Sequence, residues 1–263
     1  MQPVTVKYQP LPWPRIKLTA NGFLPESWAE LNPLQFITIS KLAKETVDDI
    51  AFLAAMTGIR KRIIKRLDDF HRFQMNEAFH FFTTDTSHNA FVLQKFKING
   101  VVYAAPKPKL NGMTFEQFIF IDTWFGFYQD ENKPENLHSF LASLYLPAGE
   151  KFNEEKTELN ALLLANLHPS VKDAIVLNYQ LVKAWIQKTY PLIFPELDKT
   201  GTENDEQKQQ TEKRRYDSSG WIKIFDGIVG DNITKRDKYA AMPLHETLRY
   251  MSRRIKENMK RKK

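Results

Sequence analysis

Residues 169–190 read PSVKDAIVLNYQLVKAWIQKTY. Val171, Ala174, Ile175, Leu177, Leu181, Val182, Trp185 and Ile186 recur at the three- and four-residue spacing that stacks side chains on one face of an α-helix. Pro191 and Pro195 stop the run, because proline lacks the backbone N–H and its ring clashes with the preceding turn. Working outward towards the N-terminus, the same period predicts helices over 154–167, 134–146 and 115–128, and two short ones over 60–67 and 68–83. It also predicts a helix through Ile50, Leu53, Ala54 and Met56 that ends at Thr57-Gly58. The class is therefore mainly α.

The helix starts are written in the sequence. Asn32 suits an N-cap, Pro33 the first helical position and Gln35 the third position of a capping box, and Phe36, Ile39, Leu42 and Ala43 follow on one face. Thr114 and Gln117 repeat that pairing, so Thr114-Phe115-Glu116-Gln117-Phe118 echoes Asn32-Pro33-Leu34-Gln35-Phe36. Two ordinary helix starts account for the echo, and a distant internal repeat is the alternative. Two regions break the helical pattern. Val4–Tyr8 and Arg15–Leu18 alternate as strands, with Pro10, Pro12 and Pro14 between them, and Asn21-Gly22 reads as a turn. Phe96-Lys97-Ile98-Asn99-Gly100-Val101-Val102-Tyr103 carries the Asn-Gly signal of a two-residue type I′ hairpin, placing a β-hairpin near 91–105.

Working outward in the other direction, residues 198–215 read DKTGTENDEQKQQTEKRR, and none of these 18 side chains is apolar. The expected organisation is a mainly helical body over 1–196, a polar flexible linker over 197–216 and a helical module with a basic tail over 217–263. In the module Trp221, Ile224, Phe225, Ile228 and Val229 share a helical face that Gly230 closes, and Leu244, Leu248, Met251 and Ile255 mark a second helix at near-heptad spacing. A piece this small needs a surface to dock on: its own body, a second copy or a partner. Trp221, Ile224, Phe225, Leu244, Leu248 and Met251 are the candidate partner-binding residues.

Charge and composition narrow the function. Residues 249–263 hold eight Lys and Arg against Glu257 alone, so the whole net charge of +7 resides there and the remainder sums to zero. Only this segment steers towards a polyanion, with Arg253, Arg254, Lys260 and Arg261 as weak nucleic-acid candidates. There are no cysteines, which excludes disulfides, thiol catalysis and Cys-based zinc sites. No apolar run approaches the roughly 18–20 residues that span a bilayer, and MQPVTVKYQP lacks the pattern of a secretory leader, so an intracellular chain with no membrane contact is expected. His71, His80 and His88 are spaced out of metal-binding register, and no phosphate loop or nucleophile elbow occurs. Asp48-Asp49 and Asp68-Asp69 read as helix-start acids. The expectation is a protein with no catalytic residues, metal or cofactor. Trp124, Phe125, Phe127 and Tyr128 read as core, with a partner surface as the alternative.

Four segments in order carry a resemblance. They are Leu24-Pro25-Glu26-Ser27-Trp28-Ala29-Glu30-Leu31-Asn32-Pro33-Leu34-Gln35-Phe36, then Met56-Thr57-Gly58-Ile59, then the hairpin around Asn99-Gly100, then Leu141-Ala142-Ser143-Leu144-Tyr145-Leu146-Pro147-Ala148-Gly149-Glu150-Lys151-Phe152. Over roughly residues 20–190 the chain resembles bacteriophage proteins of structural-gene clusters, and in particular tail assembly chaperones. The resemblance implies a noncatalytic protein that covers the helices of a tape-measure protein until tail-tube subunits assemble, in the host cytoplasm during phage assembly. Such chaperones often occur in a short and a longer, frameshifted form, and Phe194–Tyr216 is where that junction would fall. The partners implied are tape-measure and tail-tube proteins, with self-association a further candidate. The alternatives are a connector or tail protein that stays in the virion, and a nucleic-acid-associated protein using the basic C-terminal helix.

Overall fold

The computed structural model describes residues 1–9, 18–42, 48–195, 221 and 236–261. They are mainly helical, with a small N-terminal sheet and a hairpin-based second sheet, as the sequence pattern predicts. The chain divides into two units, Met1–Leu93 with His168–Ala184, and Gln94–Leu167 with Trp185–Lys263. These boundaries differ from the expected body of 1–196, and the expected linker over 197–216 lies outside the described residues.

The first unit opens with antiparallel strands β1 (Gln2–Tyr8) and β2 (Leu18–Leu24). Asn21-Gly22 is not a turn: Gly22 lies inside β2, opposite Val4. Glycine is needed there because a Cβ would sit 2.5 Å from the Thr57 carbonyl oxygen and 2.7 Å from Ile59 Cγ1. A 3-10 turn at Trp28–Glu30 leads into α1 (Pro33–Leu42) and α2 (Asp49–Thr57), which ends on Gly58 in the left-handed conformation. Short α3 (Lys61–Ile64) follows. The helix expected over 68–83 is two, α4 (Asp69–Glu77) and α5 (Phe81–Thr84). Three-residue turn bonds at Phe79 and His80 tighten the chain between them, and Phe79 and Phe81 both become buried. Trp28 anchors this core, edge-on to Phe36 and Phe81, while its Nε1 donates to the Asp85 carbonyl at 2.6 Å.

The second unit opens with β3 (Lys95–Ile98) and β4 (Val101–Ala104), joined by Asn99-Gly100. Both turn residues have positive φ, 47° and 86°, as a type I′ turn requires. A 3-10 turn at Pro108–Leu110 leads into α6 (Phe115–Glu131) and α7 (Pro134–Leu144). The helix predicted to 146 stops at Leu144, because Pro147 disfavours helical geometry at Leu146. Leu146–Pro147 instead form β5, paired with β4. Then come α8 (Thr157–Leu164) and α9 (Pro169–Thr189), the helix read first, whose residues up to Ala184 belong to the first unit. Two C-terminal helices, α10 (Arg236–Ala240) and α11 (Leu244–Arg261), complete the described residues.

Both units follow one plan: hairpin, 3-10 turn, helix, helix. The echo extends beyond the helix starts. Set at one offset without gaps, Leu31–Ser40 and Met113–Asp122 share Gln35/Gln117, Phe36/Phe118, Ile37/Ile119 and Ile39/Ile121. Each glutamine is buried and does the same work. Gln35 Nε2 donates to the Met56 carbonyl at 2.6 Å and Gln117 Nε2 to the Ser143 carbonyl at 3.0 Å. Both carbonyls belong to the last turn of the following helix, where no intrahelical donor remains. The resemblance segments also meet in pairs: Gln35 touches Met56 in the first unit, and Tyr103 of the hairpin pairs with Pro147 in the second.

Candidate functional site

The C-terminal segment is tied to the second unit by three kinds of bond. Its backbone clasps the start of α6: Phe115 N–H donates to the Met242 carbonyl and Leu244 N–H to the Met113 carbonyl, both at 2.9 Å. Trp221 lies edge-on to Phe115, Phe118 and Phe194, and its Nε1 donates to Asp122 Oδ2 at 2.7 Å. Asp122 stands where the first unit has Ser40, whose hydroxyl bonds its own helix at Ile37. The matching position thus carries a carboxylate in the second unit, the one that receives Trp221.

His245 makes the third connection. Its Nε2 lies 2.5 Å from the Lys109 carbonyl, which only accepts, so Nε2 carries the proton and Nδ1 accepts from the Tyr190 hydroxyl at 2.7 Å. Lys109 and Leu110 have φ of 61° and 55°, a conformation unfavourable for residues with a Cβ. The bond to His245 and the burial of Leu110 hold this bend. A lone histidine in a sequence offers no signal for such a role.

Trp221, Leu244, Leu248 and Met251, four of the expected partner-binding residues, are buried within the second unit. The apolar contact expected with a partner is here made with the chain's own unit. Ile224 and Phe225 lie outside the described residues. Arg253, Arg254, Lys260 and Arg261 are exposed on α11. Phe125 is core, whereas Trp124, Phe127 and Tyr128 are half-buried.

Two exposed apolar pairs lie on other helices. On α4, Phe70 and Phe73 are 65% and 61% exposed, and on α8, Leu159 and Leu162 are 64% and 67% exposed. Each pair is three residues apart and so lies on one helical face. Sequence periodicity missed them because they extend an apolar pattern that the core uses only in part.

The second unit also has a cleft of 690 Å³ lined by Glu116, Gln117, Lys107, Glu150 and Lys151. Burial, then Glu154 and Asp237, raise the Glu116 carboxyl above its ordinary pKa. Glu150 is engaged by Lys156 at 2.8 Å. Among the described residues no three His, Asp or Glu side chains converge on a metal position. No described helix is long and apolar enough to cross a membrane. Comparison with protein-family models, curated proteins and solved structures finds no match for this chain.

Proposed function

We propose that this protein is a noncatalytic assembly factor acting through protein–protein contacts, in the manner of the phage tail assembly chaperones that residues 20–190 resemble. The observation that carries the reading is the pair of exposed apolar helix faces, Phe70/Phe73 on α4 and Leu159/Leu162 on α8. Apolar pairs of this kind cost solubility unless a partner covers them, and an amphipathic helix of a client fits such a face. The partners are the tape-measure and tail-tube proteins, met in the host cytoplasm during assembly. The ordered resemblance segments support the class of protein, and the exposed pairs support the mode of action.

Co-expression with a phage tape-measure protein tests the reading. The client should become soluble and co-purify with this chain. Leu159→Lys with Leu162→Lys should abolish co-purification while leaving the melting curve unchanged, since exposed sites of this kind shift stability by only about 0.5 kcal/mol. Failure of the parent chain to form a complex or improve client solubility would sink the proposal.

A further inference from the structure

The open face of α11 is cationic. Arg249, Arg253, Lys256 and Lys260 recur at spacings of four, three and four residues, which places all four on one stripe of the helix. At a rise of about 1.5 Å per residue the stripe runs about 16 Å. All four side chains are exposed, and among the described residues none of the ion pairs includes them. Glu246 and Glu257 are the acids of the helix, and both lie off the centre of the stripe. Arg254 sits on the neighbouring stripe, its guanidinium 5.9 Å from the Tyr250 ring centre.

The stripe has a seat at its inner end. Arg249 and Arg253 line an open groove of 580 Å³ with Tyr190, Leu192 and Ser252. The buried Ser252 hydroxyl has no hydrogen-bond partner among the described residues. Two exposed guanidinium groups at one groove suit the oxygens of a phosphate. A membrane surface is a poorer fit, because a helix lying in lipid uses its apolar face and here Leu244, Leu248 and Met251 are buried in the second unit. Duplex DNA presents a phosphate charge about every 1.7 Å of its axis, so four cations spread along about 16 Å each find a phosphate to face.

We propose that this stripe binds the phosphate backbone of duplex DNA, without reading base sequence. Fluorescence anisotropy of the full chain with a labelled duplex of mixed sequence tests it. Four phosphate contacts predict about a 100-fold loss of affinity between about 50 and about 200 mM salt. Arg249→Gln with Arg253→Gln, and separately Lys256→Gln with Lys260→Gln, should each reduce the logarithmic salt slope by about two. Lys95→Gln with Lys97→Gln, exposed on β3, should leave the slope unchanged, and melting curves should match the parent in all three. The proposal is overturned if the parent fails to bind DNA at low salt. It is equally overturned if the Lys95/Lys97 variant loses as much slope as the others, or if the chain floats with phosphatidylserine vesicles while leaving DNA unbound.

Discussion

Gln35 and Gln117 show how much one side chain can carry. Each sits three residues after its N-cap, which accepts from its backbone: Gln35 N–H donates to Asn32 Oδ1 at 3.0 Å and Gln117 N–H to Thr114 Oγ1 at 3.2 Å. Each also reaches a carbonyl at the end of the next helix, tying two helices with one amide. Methionine has similar bulk and no amide, so Gln35→Met or Gln117→Met leaves a buried carbonyl without its donor. The cost should be about 1–3 kcal/mol for each, read from urea unfolding. His88 offers a pH handle. Burial holds its pKa below the ordinary value, against the opposing pull of Asp85. The unfolded chain therefore takes up a proton first as pH falls through about 6.5. Stability from this group is full above that pH and is lost as the pH falls towards the depressed folded value. Thermal melts between about pH 7 and about pH 5 should show a loss that His88→Asn flattens.

At the scale of elements, local signals compete with their neighbours, and the outcome follows physical rank. The Asn-Gly of residues 99–100 makes its turn because both residues reach positive φ between paired strands. The Asn-Gly of residues 21–22 does not, because the strand pairing with β1 and the close approach of Thr57 and Ile59 claim it. The last helix divides its faces cleanly, with Leu244, Leu248 and Met251 inward and the cationic stripe outward. Leu248 is fully buried, so Leu248→Ala should cost about 2–5 kcal/mol in chemical denaturation. The exposed leucines of α8 set the contrast, since the same residue type there stays about two-thirds exposed.

For the whole molecule, the C-terminal segment is the decisive case. Its residues belong to the same unit as Gln94–Leu167. Removing residues 217–263 strips Trp221 from Phe115 and Phe118 and the backbone clasp from Met113 and Phe115. The truncated chain should melt at a lower temperature and sediment as aggregates, whereas removal of an independent module would change neither. The sequence by itself determined the helical class, the helix starts at Asn32 and Thr114 and the type I′ hairpin. These depend on side chains within a few residues of one another, and local chemistry decides them. It also determined that the net charge resides in the last helix and tail. Tertiary structure decided what the apolar faces meet. The spacing of Leu244, Leu248 and Met251 specifies a buried stripe but not its partner, and only the folded second unit identifies that partner as the chain itself. The same holds for Asp122, His245 and the two glutamines, whose partners lie 21 to 136 residues away along the chain. A hydrogen bond across such a separation leaves no periodic mark in the sequence, because its geometry exists only after the core has formed.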